Sequence, residues 1–289
     1  MKIYKSTVQK LNFTFFGTPD ISSNTLDILF SNNYIPSLIV TSPDKRSGRG
    51  MEIHETPVSI WAKEHNIECL KPEKIDSEFI EEFFKLNMDL SIVVAYGKIL
   101  PEILINKPKI GTINIHYSLL PKYRGASPLE SALLNGDTKT GVSIQQMAFK
   151  LDSGPILAEK EIHIDINETK EELKNKLIKL GGDLLCEIIP QIITKSIIPN
   201  TQDEEQATFC TKIKKEDGEL NLNKSTIENY NKYRAFYGWP GVYFFHNKNG
   251  ENIRVKIKKA LYENNLFVIK RVTPEGKKEI NYEDFLRQN

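Results

Sequence analysis

Asn114 and His116 stand two residues apart in the run Gly111-Thr112-Ile113-Asn114-Ile115-His116-Tyr117-Ser118-Leu119-Leu120-Pro121. In an extended strand, residues at that spacing share a face, about 6.6 Å apart along the chain, while Ile113 and Ile115 point the other way. An amide and an imidazole side by side on a strand this apolar need partners to offset their desolvation. Open α/β sheets gather their ligands at the C-terminal ends of their strands. Asp152 lies in Leu151-Asp152-Ser153-Gly154-Pro155, just past the next strand-like run, Val142–Met147. A crossover between the two strands makes them close neighbours in the sheet, which lets the carboxylate reach His116 and orient its ring. Taken alone, Asp152 reads as a turn residue ahead of Ser-Gly. Taken together, amide, imidazole and carboxylate suit acyl transfer to an amine. The amide and a protonated imidazole steady the tetrahedral oxyanion, and the carboxylate manages protons. No serine or cysteine sits in a nucleophile elbow, so direct attack by the substrate amine is the simpler scheme.

The elements that must position these groups are legible as alternating strand and helix signals. Short runs rich in β-branched and aromatic residues recur at Phe13–Phe16, Leu38–Thr41, Leu90–Ala95, Thr112–His116 and Val142–Met147. Thr56-Pro57 and Ser127-Pro128 each set a capping hydroxyl before a proline at a first helical position. Thr169-Lys170-Glu171-Glu172 reads as a capping box that opens a long helix toward Ile193, with a break expected at Gly181-Gly182. Strands apolar on both faces and alternating with helices predict a doubly wound (Rossmann-like) parallel-sheet α/β domain. Phe16-Gly17-Thr18-Pro19 ends the first strand without a G-x-G-x-x-G or P-loop pattern, so Gly17 is read as a tight-turn glycine and no nucleotide cofactor is expected.

After the polar stretch Pro199–Gln206 the pattern changes to short alternating strands at Val242–His246, Ile253–Ala260 and Leu266–Lys270, separated by Asn/Gly turns. A small C-terminal β-barrel, OB-like, is the expectation for this region. The resulting division is an N-terminal extension at 1–10, a catalytic domain at 11–198, a linker at 199–207 and a C-terminal domain at 208–289. Over the whole 289 residues the net charge is only +1. From Gln206 to Asn289 there are 16 Lys and Arg against 10 Asp and Glu, a net +6, which leaves −5 for the rest. An acidic body with a basic tail suits chemistry in one part and a polyanionic partner for the other. The three cysteines, Cys69, Cys186 and Cys210, are too few and too scattered for a disulfide framework or a zinc site. With no apolar stretch of signal-peptide or membrane-span length, a cytoplasmic protein is expected, and a monomer.

The motif Asn114-Ile115-His116 followed by Ser118-Leu119-Leu120-Pro121 and Arg124-Gly125, then Leu151-Asp152-Ser153-Gly154, resembles the active-site signature of the 10-formyltetrahydrofolate-dependent formyltransferases. The resemblance implies Asn114, His116 and Asp152 as catalytic residues. It also implies Ser118, Leu119, Leu120 and Pro121 as folate contacts, 10-formyltetrahydrofolate as co-substrate, and no metal. That signature is shared by formyltransferases acting on nucleotide-linked amino sugars and by 10-formyltetrahydrofolate hydrolases. Further segments resemble the branch of the family that acts on methionyl-tRNA: Phe16–Pro19, Ser42–Gly50, Thr56–Val58, Val94–Gly97, Lys212–Gly218, Arg234–Phe236, Trp239–Gly241 and Pro274–Lys278. This second resemblance implies initiator methionyl-tRNA as acceptor, in translation initiation. It places Lys45, Arg46 and Arg49 in a loop near the acceptor stem, and gives the C-terminal domain a share in holding the tRNA.

Overall fold

The structure, a computed structural model, describes residues 11–47, 51–248 and 250–288, and leaves the side chains of Arg46 and Ser47 outside that description. Its centre is a seven-stranded sheet. The first strands are β1 (Phe13–Gly17), β2 (Leu38–Val40), the hairpin pair β3 (Lys45–Ser47) and β4 (Glu52–His54), β5 (Cys69–Leu70), β6 (Leu90–Val94) and β7 (Gly111–His116). They are followed by β8 (Arg124–Gly125), β9 (Lys139–Gln146) and β10 (Ile156–His163). The sheet order is β10-β9-β7-β6-β1-β2-β5. Strands β7, β6, β1, β2 and β5 run parallel. Every residue of β1 and of β6 is buried, as strands covered on both faces require. The strand order reverses between β1 and β6, the kind of switch point at which open α/β sheets take their ligands.

That edge is laced together by small hydroxyls. Thr18, just past β1, donates its hydroxyl to the Tyr96 carbonyl (3.0 Å) and shares a hydrogen bond with Ser42 past β2 (3.1 Å). Ser22 donates to the Val94 carbonyl (2.6 Å) at the end of β6. These bonds require close approach, and Gly17 permits it: a Cβ there would lie 2.6 Å from the Ser22 Cβ. Gly17 is therefore a packing glycine and not the turn glycine expected, since its φ is not among the positive values.

Two further expectations need correction. Strand β9 lies beside β7 as expected but runs antiparallel to it, with Asn114 opposite Gln145 and His116 opposite Ser143. The connection is thus not a crossover; the chain turns back through α5 (Pro128–Leu134) and enters β9 from the C-terminal end of β7. The second concerns the long helix α6 (Lys170–Ile193), which passes through Gly181-Gly182 without a break. Gly182 packs face-on against Ile28 of helix α1 (Asp20–Ser31), where a Cβ would meet the Ile28 side chain at 2.6 Å. The glycine is there for clearance. Thr56 caps α2 (Pro57–Glu64) through a 3.1 Å bond from the Ser59 amide, whereas Ser127 makes no cap bond and donates its hydroxyl to the Thr211 carbonyl (2.5 Å). Glu172 reaches back to the Thr169 amide (2.8 Å), as a capping box does.

The chain divides into two compact units. One comprises the described residues through His116 with Ser143–Lys160 and Ile178–Gln202; the other comprises Tyr117–Val142, Glu161–Leu177 and the chain from Asp203 on. In the second, β8 pairs with β11 (Phe209–Cys210), and helix α7 (Thr226–Ala235) packs on α5 and on the C-terminal sheet. That sheet has four antiparallel strands, β12 (Val242–Lys248), β13 (Glu251–Glu263), β14 (Leu266–Pro274) and β15 (Ile280–Asn281), in sequence order. The strands expected there from alternation fall within β12, β13 and β14.

Gly182→Val should lower stability by about 1–3 kcal/mol, as overpacking does, and adding Ile28→Ala should recover part of that loss. Chemical denaturation of both variants measures it; additive losses would show that the two side chains do not share the space.

Candidate active site

The antiparallel partnership of β7 and β9 fixes which side chains meet. Residues opposite each other on paired strands bring their Cβ atoms to within about 4.5–5.5 Å. Asn114 therefore stands beside Gln145, and His116 beside Ser143. His116 is only 5% exposed and Gln145 only 1%. Gln145 donates its amide to Asp152 Oδ1 at 2.9 Å. The other carboxylate oxygen, Oδ2, lies 3.7 Å from His116 Nδ1, within ion-pair range and longer than a hydrogen bond. Asn114, His116 and Asp152, singled out from their types and spacing, are thus brought to one place, with Gln145 beside the amide and bonded to the carboxylate.

Asp152 is held in an unusual backbone conformation. Its φ is +46°, in the left-handed region that Asp and Asn tolerate better than most residues. The turn is secured from outside: Gln202 donates its amide to the carbonyls of Asp152 (2.9 Å) and Gly154 (2.7 Å). Gly154 lets the turn press against β9, since a Cβ would sit 1.7 Å from the Gln146 carbonyl oxygen. Ser153 closes the turn with its hydroxyl on the Lys150 carbonyl (2.9 Å). The turn reading and the catalytic reading of Asp152 are therefore compatible: the strained turn is what aims the carboxylate.

Gln145 and Gln202 were not among the residues expected to matter. Gln145 had a signal, since Ser143 and Gln145 alternate with apolar Val142 and Ile144 and give β9 a polar face at that end. Gln202 had none; it lies in the polar stretch read as a linker, tied to β10 by pairing of Asn200 with Ile156.

The remaining expected residues are placed as follows. Ser118, Leu119, Leu120 and Pro121 follow directly on β7, and Ser118 is buried with its hydroxyl on the Lys122 carbonyl (2.6 Å). Lys45 is exposed on β3, whose backbone pairs with β4 in the register Lys45 to His54 and Arg46 to Ile53. The side chain of Arg46, and Arg49 and the 1–10 extension entirely, lie outside the described residues. A third residue not anticipated, Lys71, bridges the feet of this hairpin: its ammonium is 2.8 Å from Asp44 and 3.6 Å from Glu55. Burial opposes the Lys71 charge, but the Asp44 and Glu55 carboxylates outweigh it and hold the ammonium above its ordinary range. Among the described residues no group of three or more His, Cys, Asp or Glu side chains is arranged to hold a metal ion.

A mixed α/β sheet with Asn and His on one strand and an Asp in the turn after its neighbour defines a class, and comparison with known families identifies it. The family model described as formyl transferase matches residues 10–189, and that described as formyl transferase, C-terminal domain, matches residues 212–267. The chain belongs to the formyl transferase family. Within it, the chain is 42% identical over 231 residues to a methionyl-tRNA formyltransferase of Sulfurihydrogenibium sp. (strain YO3AOP1), covering 79% of this chain and 74% of the relative. It is 37% identical over 300 residues to a methionyl-tRNA formyltransferase of Geobacillus sp. (strain WCH70), covering 96% and 94%. Among solved structures, an N-formyltransferase from Helicobacter canadensis in complex with folinic acid and dTDP-3-aminofucose superposes with a TM-score of 0.64 at 20% identity, over 88% of this chain and 89% of that one. That match speaks for the fold alone.

Gly154→Ala should displace the Asp152 turn from β9. The expected result is a clear drop in melting temperature together with formyl transfer at least tenfold below wild type, by about 1.4 kcal/mol or more in activation free energy. A variant that melts and turns over like wild type would show that the close approach to Gln146 is dispensable.

Proposed function

We propose that this chain transfers the formyl group of 10-formyltetrahydrofolate to the amino group of methionine carried on initiator methionyl-tRNA. The observation that carries the chemistry is the convergence of Asn114, His116 and Asp152 in one unit, two of them two residues apart on β7 and the third bonded to Gln145 on the paired strand. In this reading the amine nitrogen attacks the formyl carbon and the carbonyl becomes an oxyanion. The Asn114 amide and the His116 imidazolium donate to it, in a setting where little water competes. Collapse breaks the bond between the formyl carbon and N10 of the folate. The amine loses a proton, N10 gains one, and Asp152 is the carboxylate placed to relay it. Products are the N-formylated amine and tetrahydrofolate. Ser118, Leu119, Leu120 and Pro121 serve the folate.

Two observations support tRNA as the acceptor. The relatives that share 37–42% identity are methionyl-tRNA formyltransferases. The C-terminal sheet also presents a basic, aromatic face: on β13, exposed Arg254 and Lys256 alternate with buried Val255 and Ile257, and Lys258 and Lys259 are exposed at the bulge that follows. Phe245, half-exposed, pairs with Arg254, and Tyr243 pairs with Lys256 and lies under the Arg254 guanidinium at 5.5 Å. Cations beside exposed aromatic rings, here set edge to face, are what a nucleic-acid backbone and its bases meet well. We assign residues 11–198 to catalysis and 208–289 to tRNA, joined by 199–207, with Lys45, Arg46 and Arg49 near the acceptor stem in a cytoplasmic monomer.

Labelled formyl transfer from 10-formyltetrahydrofolate, with charged initiator tRNA and free methionine offered in parallel, tests this directly. Formylated methionine should form on the tRNA only; folate turnover without it would move the chain to an amino-sugar acceptor or to hydrolysis. His116→Ala and Asp152→Ala should each cut turnover by about 100-fold or more, and wild-type rates in either would overturn their assignment. Arg254→Glu with Lys256→Glu should raise KM for tRNA, leave KM for the folate unchanged, and flatten the salt dependence of tRNA binding by about two units of log–log slope. An unchanged slope would remove the C-terminal sheet from the tRNA interface.

A further inference from the structure

The proposed chemistry asks one carboxylate to do its work from a strained turn beside a buried histidine, and a side chain hydrogen-bonded to that carboxylate, Gln145, is not one of the trio. We propose that Gln145 is the positioning residue for Asp152: its amide holds Oδ1, fixes the carboxylate's rotation, and leaves Oδ2 turned to His116. The inference rests on the catalytic reading of Asp152 given above.

Three features carry it. Gln145 Nε2 donates to Oδ1 at 2.9 Å, while His116 faces Oδ2 at 3.7 Å, so the two meet different oxygens of the carboxylate. Gln145 is 1% exposed, which makes a primary amide at this place costly unless its donors are used. It is also the cross-strand partner of Asn114, so a single strand pairing sets the spacing between the amide that serves the oxyanion and the anchor of the carboxylate. The other amide nearby, Gln202, holds the backbone of the turn through the carbonyls of Asp152 and Gly154, and its Nε2 lies 3.5 Å from Gln145 Oε1. One glutamine thus holds the turn and the other holds the carboxylate. A leucine at 145 would fill the space and remove the donor. A glutamate would donate to Asp152 only while protonated, and once ionised would repel it, so a proton shared by the two carboxylates takes over the amide's role.

The test compares Gln145→Leu and Gln145→Glu with wild type, each as the full chain, with 10-formyltetrahydrofolate and charged initiator tRNA. Every rate is taken as a ratio to wild type at the same pH, which cancels titration of the substrate amine. For Gln145→Leu the expected result is kcat down about tenfold at all pH values, as loss of one hydrogen bond to a charged group gives, with KM for both substrates within about twofold of wild type. For Gln145→Glu the ratio should be highest at acid pH and fall as pH rises. Gln145→Leu turning over within twofold of wild type, or a Gln145→Glu ratio that does not change with pH, would overturn the proposal. The Glu variant keeps the test open if the Leu variant does not fold. Asp152→Asn separates the two levels: inactive Asp152→Asn with wild-type Gln145 variants removes Gln145 alone, whereas wild-type turnover by Asp152→Asn removes the catalytic reading and this inference with it.

Discussion

The register between β7 and β9 is the constraint from which the site follows. It sets Asn114 against Gln145 and His116 against Ser143, which puts four polar side chains on the buried end of a strand pair. Such groups destabilise the fold unless each finds a partner. Ser143 finds Glu159 on β10, at 2.5 Å. Gln145 finds Asp152, and Asp152 can stand there only because the chain after β9 makes a left-handed turn that Gln202 and Gly154 allow. A slip of one residue would reverse every side chain, sending Ile113 and Ile115 to the polar face and the amide and imidazole into the apolar layer. The alternation of apolar and polar residues on β7 thus specifies the register, and the register specifies the site.

Antiparallel pairing suits this arrangement better than the crossover expected from the sequence. A crossover would return the chain to the far end of the sheet and run β9 alongside β7 in the same direction. By turning back, the chain runs β9 away from the C-terminal end of β7, and Ser143 and Gln145 are met near that edge. The price is a connecting segment, Tyr117–Thr138, that must satisfy its own backbone. Part of it does so through β8, which pairs with β11. Within that segment Arg124 is fully buried and forms an ion pair with Glu204 at 2.8 Å. Removing one partner of such a pair leaves a desolvated charge behind, which ties the conformation of the segment to residues some eighty positions later.

What the sequence discloses and what it conceals divide along physical lines. The parallel strands are legible because both faces are buried, so Phe13–Phe16 and Leu90–Val94 are apolar but for one small hydroxyl each, Thr14 and Ser91. Asn114 and His116 are legible because a polar residue within such a run is an exception that needs a reason. Asp152 is half legible: its turn chemistry is plain, and its proximity to His116 depends on a sheet neighbour. Glycines mislead, because a chain that needs positive φ and a chain that needs room for a neighbour are written with the same residue. Gly17 and Gly182 are of the second kind, and nothing local distinguishes them. Gln202 is concealed most thoroughly, since a glutamine in a polar stretch shows no pattern until the fold brings it to two carbonyls of a distant turn.

The same division separates the groups around Asp152 from the basic face of the C-terminal sheet. The groups around Asp152 are buried and interlocked, so a change in one is felt by the others, and their energies do not add. The cations on β13 are exposed and alternate with buried partners, so each can be replaced without disturbing the layer beneath it. The hairpin β3–β4 lies between these extremes. Lys71 joins Asp44 and Glu55 at its two feet. Ion pairs this exposed stabilise a fold only modestly. Here the bridge closes a short loop at its base, where fixing two ends limits the conformations open to everything between them.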